Sequence, residues 1–395
     1  MDPKQAGTIL VTFSAGLLDY VRREVEDLGC RTGDSHRTGL EVEGNQYDAM
    51  RLNLHLRTAH NVLFLLKQFK CESPDELYVN VIELPWEDMI SPAEYVSVVG
   101  RINTEHIKNS MYAGLKAKDA IVDRITSKMG TRPDSGKDKD NVVVHLYWKD
   151  DLCRLYLNTS GLKLSDRGYR KMPGKAPLRE SLAAAIIIAT GYDGSAPLVC
   201  PMCGSGTLAI EAALIASRRV PGLLRSNYAF MHVKYFDEPA WKQMRAEALK
   251  KSKSRGGKAD FKPARIIATD IDAEAVEAAR KNATTAGVSH LIDFDVCDFA
   301  ETAIPTGPGI IVMNPEYGLR LGEIEKLKKT YKRIGDFFKQ KCAGYTGYIF
   351  TGNPALSKVV GLRTCRRFEF YNATIECRLL KYELYAGTKE KKACV

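Results

Sequence analysis

One stretch constrains the fold more than any other. Leu198-Val199-Cys200-Pro201-Met202-Cys203-Gly204-Ser205-Gly206-Thr207-Leu208-Ala209-Ile210-Glu211 runs from an apolar strand through a glycine turn into a helix. After residue 178 strands alternate with longer helical runs, which implies βαβ units and a parallel sheet. The spacing predicts strands at 197–200, 265–269, 292–296, 309–313 and 347–351, with an antiparallel edge from 366–371 and 374–380. The fold class is therefore α/β with a doubly wound sheet. In such sheets a ligand lies outside the carboxyl ends of the strands, where glycines admit it without a Cβ in the way.

The glycine turn fits neither G-x-G-x-x-G nor G-x-x-x-x-G-K-[ST], so a dinucleotide or nucleoside triphosphate site is not supported. The next strand ends Thr269-Asp270-Ile271-Asp272, and a carboxylate there can accept two hydrogen bonds from a ribose diol. The third ends Asp295-Val296-Cys297-Asp298, where Asp298 can face the exocyclic amine of an adenine. Taken alone, each carboxylate reads as a helix cap or a surface charge. In this order they form a cofactor face of Pro201, Cys203, Gly204, Ser205, Gly206 and Thr207, joined by Asp270, Ile271 and Asp298.

The fourth strand ends Met313-Asn314-Pro315-Glu316-Tyr317. The Asn314 amide and carbonyls fixed by Pro315 can accept hydrogen bonds from a base amino group, holding its lone pair towards a methyl donor. Tyr317 can stack on the base. Asn314, Pro315, Glu316 and Tyr317 are the candidate catalytic set, with Asn314 also touching the cofactor. A neutral amine needs orientation more than a strong base, so positioning carries the catalysis.

The first 160 residues differ in pattern. Residues 9–13 and 39–44 read as strands, with helical spacing at 17–28 and 47–54. Residues 94–158 give strand, helix, strand, strand, with a turn-rich loop at 130–140. The basic run Lys250-Lys251-Ser252-Lys253-Ser254-Arg255-Gly256-Gly257-Lys258 interrupts the second half as a solvated loop. A length of 395 residues accommodates two or three domains. The bounds expected are 1–70, 71–160, 161–385 and a charged tail at 386–395. A formal charge of +10 suits a polyanionic partner, although many basic proteins have none.

No apolar run approaches the roughly 20 residues of a membrane helix, and the N-terminus lacks a signal layout, so a cytoplasmic protein is expected. Ten scattered cysteines read as free thiols. Cys200 and Cys203 stand alone as a C-x-x-C pair and the seven histidines are dispersed, so no metal site is expected.

The chain resembles the bacterial RlmL-type ribosomal large-subunit guanine-N2 methyltransferases, which carry an N-terminal THUMP RNA-binding domain. The resemblance rests on Gly168-Tyr169-Arg170, on Ala176-Pro177-Leu178-Arg179-Glu180-Ser181, and on the run from Pro201 to Ala213. Arg219-Val220-Pro221-Gly222-Leu223 and the helix from Ile107 to Asp123 extend it. It implies a class I (Rossmann-like) methyltransferase fold behind a ferredoxin-like and THUMP region. It further implies S-adenosylmethionine as cofactor and a guanine in large-subunit (23S) ribosomal RNA as substrate, with no obligate protein partner evident. By the same resemblance Lys116, Lys118 and Arg124 face RNA, and Arg167 and Arg170 are candidates for the same role. Two departures stand out: Glu316 occupies the place of the family's second proline, and a single methyltransferase domain is expected where the long two-enzyme forms carry a second. A tRNA guanine-N2 or DNA adenine-N6 methyltransferase, and an RNA-binding protein with impaired catalysis, stay open as alternatives.

Overall fold

The computed structural model describes residues 4–172, 178–253, 263–317 and 321–385. The tail at 386–395, residues 254–258 of the basic insertion, and Ala176 and Pro177 of the motifs above lie outside the described residues, while Lys250 to Lys253 are helical rather than the loop expected. Contacts divide the chain into two units. The first comprises Met1–Phe13, Val21–Asp166 and Pro221–Ala248; the second comprises Ser14–Tyr20, Arg167–Val220 and Leu249–Val395.

The first unit is built on one eight-stranded sheet. Its strands are β1 (Gly7–Thr12), β2 (Arg31–His36), β3 (Gly39–Gly44), β4 (Asn61–Lys70), β5 (Val96–Asn103), β6 (Ser135–Gly136), β7 (Val142–Lys149) and β8 (Leu152–Asn158), in the order β2-β3-β1-β4-β8-β7-β5-β6. Residues 1–70 and 71–160 share this sheet because β4 pairs antiparallel with β8. Helices α1 (Leu18–Asp27), α2 (Gln46–His55), α3 (Pro74–Ile82), α4 (Trp86–Met89) and α5 (Ser110–Met129) accompany it. Their ends are set locally. Asn45 and Asp48 form a reciprocal capping box on α2, Ser73 caps α3 ahead of Pro74, and α5 closes on left-handed Gly130.

Residues 221–248 join this unit through specific contacts. Arg225 donates to the carbonyls of Ser160, Leu162 and Lys163 and lies 4.6 Å over the Tyr228 ring. Phe230 stacks on Tyr228 and meets Trp241 edge-on. A Cβ on Gly222 would fall 2.5 Å from the Leu54 carbonyl, so only glycine fits there.

In the second unit α6 (Glu180–Ala189) precedes β9 (Leu198–Pro201), and α7 (Thr207–Ala216) follows it; α8 (Glu238–Lys253) comes next in the chain, and up to Ala248 it belongs to the first unit. Then come β10 (Ile266–Asp270), α9 (Ala273–Thr285), β11 (Ile292–Val296), β12 (Ile310–Met313), α10 (Leu321–Lys341), β13 (Thr346–Thr351), α11 (Pro354–Val359), β14 (Arg366–Asn372) and β15 (Ile375–Glu383). The sheet order is β11-β10-β9-β12-β13-β15-β14, parallel except for β15, which runs antiparallel to both neighbours. The chain winds outward from β9 to β11, then returns to the other side of β9 with β12, creating a switch point beside β9. Among the described residues no helix is long and apolar enough to cross a membrane.

Helix α7 carries Glu211 with no exposure at all, within the apolar run Leu208-Ala209-Ile210 and Ala212-Ala213-Leu214. A buried carboxylate requires a compensating charge. Arg167, only 1% exposed, supplies it, with Nε 2.8 Å from Oε1, and the Tyr169 hydroxyl donates to the same oxygen at 3.1 Å. Arg167→Met should therefore cost about 3–5 kcal/mol of stability, because it strips a buried carboxylate of its guanidinium. Urea unfolding of the purified protein measures this, and a cost below about 1 kcal/mol contradicts it.

Candidate functional site

The carboxyl ends of β9 to β12 bring the sequence-derived cofactor residues to one edge of the sheet. The turn after β9 is tightly specified: Met202, Gly204 and Gly206 have φ of 59°, 53° and 84°. At Gly204 an added Cβ would meet nothing within 4 Å, so this backbone borders open space. At Gly206 the same atom would fall 2.8 Å from the Ala279 Cβ, so that glycine serves packing between the turn and α9.

Asp270 holds the turn in place. Its Oδ2 accepts the Gly204 amide at 2.8 Å and its Oδ1 accepts the Asp272 amide at 3.1 Å. The Cys203 amide bonds the Thr269 carbonyl at 2.9 Å, and the Cys297 amide bonds the Asp270 carbonyl at 3.1 Å. Three successive strand ends are thereby stitched together. Each Asp270 oxygen keeps a further lone pair for a diol. Ile271, beside it, is 72% exposed and leaves an aliphatic side chain uncovered at this edge. Pro201, Ser205 and Thr207 are buried, framing the turn. Burial first, then the Asp270 carboxylate, push the Cys203 thiol well above its usual range, and burial does the same to Cys200. Neither is a thiolate nucleophile. No group of three metal-ligating side chains is found among the described residues.

Two residues that sequence reasoning missed complete this edge. Asn282 on α9 is fully buried; its Oδ1 accepts the amides of Lys171 and Met172, and its Nδ2 donates to the carbonyls of Met172 and Ser205. A polar residue among the buried Val276, Ala279 and Ala283 of the same helix is the signal that points to it. Arg333 on α10 bonds Asp298 Oδ1 at 2.7 Å and lies 4.8 Å over the Phe299 ring. The Ala300 amide uses the same Oδ1, so Asp298 presents its other oxygen. Burial raises the Asp298 carboxyl, but the Arg333 hydrogen bond, the Ala300 amide and the guanidinium charge outweigh it and hold the group below its ordinary value.

Past β12, Asn314 is half-buried, Pro315 buried and Glu316 exposed. Tyr317 is held from several sides: Asn372 donates to its hydroxyl at 2.9 Å, Asn353 donates to its carbonyl at 3.3 Å, and its ring lies where a Cβ on Gly352 would sit 3.0 Å away. Its ring is thus held between Gly352, just past β13, and Asn372 of β14.

The cations assigned to RNA fare differently. Arg167 is buried in its ion pair with Glu211 and cannot reach a phosphate. Arg170 bonds Glu180 at 3.0 Å and the Leu178 carbonyl at 2.8 Å, a packing role. Arg124 grips Glu87 with two bonds of 2.6 and 2.9 Å, which fastens α5 to α4. Lys116 and Lys118 lie within 3.0 and 3.4 Å of Asp75 and Asp119. Each charge is partly neutralised inside its own unit.

Arg333→Met should raise the Asp298 titration, followed by carboxyl NMR across an acid titration; an unmoved resonance would contradict the pairing. The sign follows from the depressed value. The stabilisation that ionised Asp298 contributes is present above its unfolded pKa and is lost as pH falls through the folded one, and the variant removes part of that loss.

Three family models match the chain: an RMKL-like methyltransferase domain over residues 167–381, an RlmL ferredoxin-like domain over 8–63 and a THUMP domain over 71–158. The ribosomal RNA large subunit methyltransferase K/L of Syntrophotalea carbinolica is 34% identical over 385 residues, covering 94% of this chain and 53% of that protein. The chain spans about half the length of the curated relatives it matches. Among solved structures, SMU.472, described as a candidate methyltransferase and crystallised with SAH, superposes with a TM-score of 0.85 at 25% identity, covering 98% of this chain and 100% of that one. A predicted N6-adenine-specific DNA methylase from Listeria monocytogenes str. 4b F2365 gives 0.83 at 29% identity, covering 96% of each.

Proposed function

The chain belongs to the RMKL-like methyltransferase family, and from that premise we propose that it methylates the exocyclic N2 amino group of a guanine in large-subunit ribosomal RNA, using S-adenosylmethionine. The observation that carries this reading is the order of strand ends along one sheet edge. A glycine turn follows β9, Asp270 ends β10, Asp298 follows β11 and Asn314-Pro315 follows β12. The names of the curated relatives and the THUMP match favour ribosomal RNA as the substrate class. Such a protein works in the cytoplasm, where that RNA is assembled.

The residues present suit the cofactor. Gly204 leaves backbone open to it, Asp270 has acceptors for a ribose diol, Ile271 offers an apolar face to adenine, and the second Asp298 oxygen can accept from the adenine amine. When bound, the sulfonium provides an electrophilic methyl group. Asn314 and the carbonyls beside Pro315 would hold the substrate amine with its lone pair directed at that group, while Tyr317 fixes the base plane from its anchored position. Glu316 is exposed, so water screens its charge and it need not obstruct the amine.

Transfer of label from S-adenosylmethionine to undermodified 23S ribosomal RNA, followed by nucleoside analysis, tests the reading. N2-methylguanosine is the expected product; N6-methyladenosine would favour the likeness to the Listeria methylase instead, and no product from a folded, cofactor-binding protein would refute it. Asn314→Ala should lower turnover about 100-fold with little change in SAH affinity. Undiminished turnover would remove Asn314 from its role. Glu316→Pro should leave turnover comparable, whereas a large gain would mark the parent as impaired.

A further inference from the structure

The eight-stranded sheet of the first unit has two unlike faces. One is core: Ile9, Val11, Val42, Val62, Leu146 and Trp148 are at most 1% exposed. The other carries a small cluster of Leu10, Leu63 and Tyr156 with Leu65 and Tyr147 packed against it; on this face the row Ser97, Val143, Asn158 and Leu63 is buried, and exposure begins towards Arg101 and Gln68. Strand alternation places a row of polar and aromatic side chains beside that cluster. Arg101 on β5 is in register with Tyr147 on β7, Tyr147 with Arg154 on β8, and Arg154 with Gln68 on β4. Arg101 and Gln68 are exposed, and Tyr147 and Arg154 half-buried. The neighbouring row is Val99, His145, Tyr156 and Leu65.

The two rows interlock. Tyr147 meets Tyr156 edge-on at 5.6 Å, His145 lies 6.2 Å from Tyr147, and Arg154 Nε donates to Gln68 Oε1 at 2.7 Å. Arg101 has no carboxylate partner among the described residues. The carboxylates of this face, Glu41 and Glu43, lie on β3 opposite Leu10 and Thr8, so charge runs from acidic at one end to basic at β5–β8. His145 adds a separate observation. Its Nε2 is 3.4 Å from the Asn158 amide nitrogen and its buried Nδ1 has no hydrogen-bond partner. Burial, with Lys139 and Arg101 contributing, pushes the ring down to about 3, so it is neutral, and with Nε2 accepting from Asn158 the Nδ1 carries an unsatisfied N–H.

We infer that this open sheet face is a platform for unpaired nucleotides of RNA, with a base stacked on Tyr147 and phosphates held by Arg101 and Arg154. Arg101 and Arg154 stand two strand spacings apart, about 10 Å, on either side of the ring. Aromatic rings take any base by stacking, guanidiniums neutralise the backbone, and together they select single strands over duplexes. By contrast Lys116, Lys118 and Arg124 of α5 each already face a carboxylate. The inference rests on the RNA reading above and adds to it the surface that holds the RNA.

The test is fluorescence anisotropy of the full chain with a fluorescein-labelled single-stranded RNA of about 12 nucleotides and its blunt duplex, alongside SAH binding as a check on folding. The single strand should bind more tightly than the duplex. Tyr147→Ala should weaken single-strand binding about tenfold with SAH affinity unchanged, and Tyr147→Phe should retain it. Arg101→Ala and Arg154→Ala should each lower the slope of log affinity against log salt by about 0.7. Because Arg101 is exposed, its variant carries the test even if Tyr147→Ala fails to fold. Wild-type affinity in the Arg101 and Arg154 variants, with ribosomal RNA still methylated by the parent, overturns the platform and leaves the RNA reading standing. A parent that binds SAH but neither RNA nor methylates it overturns both.

Discussion

A carboxylate with no exposure, set into an apolar helix, dictates much of the second unit. Glu211 cannot stay ionised on α7 without a guanidinium, and Arg167 meets that need from the chain segment that precedes α6. The docked segment then presents the amides of Lys171 and Met172, which Asn282 receives, and the same Asn282 reaches the Ser205 carbonyl in the glycine turn. One electrostatic requirement thus fixes the entry to the unit, the back of α9 and the floor of the glycine turn together. Exposed ion pairs such as Arg265–Asp293 do nothing comparable, since solvent screens them.

With that frame set, the sheet edge works as a preorganised surface. Asp270 accepts a backbone amide on each oxygen, and Arg333 holds one oxygen of Asp298, so both carboxylates are fixed in the arrangement the proposed cofactor role needs. Tyr317 is immobilised by Asn372, Asn353 and Gly352 before any substrate arrives. Little needs to reorganise on binding, which suits a reaction limited by orientation rather than by acid–base chemistry.

The parallel sheet was legible because its strands are short, apolar or, in β11, alternating, and followed by turn signals, and all five expected parallel positions carry strands. Elements without local periodicity escaped. The strand β4 carries, after Asn61, the unbroken apolar run Val62-Leu63-Phe64-Leu65-Leu66, which alternation cannot flag, and β2 is a polar edge strand, largely exposed. The same distinction holds at the site. Asp270 and Asn314 announce themselves by sitting at strand ends, whereas the pairing of Arg333 with Asp298 spans 35 residues and leaves no local trace. Conversely Arg124, Arg167 and Arg170 look like free cations in a sequence and only their partners reveal them as structural.

Residues 221–248 pack into the first unit although a stretch of the second precedes them, and residues 14–20 make the reverse exchange. During synthesis the N-terminal sheet can pair its strands once β8 has emerged, yet the Arg225, Tyr228, Phe230 and Trp241 cluster that completes it arrives only after α6, β9 and α7 have been made. Folding order is therefore not chain order. The N-terminal unit must wait, partly uncovered, while the first βα turn of its neighbour is already on the ribosome's doorstep, and no single cut in the chain yields either unit whole.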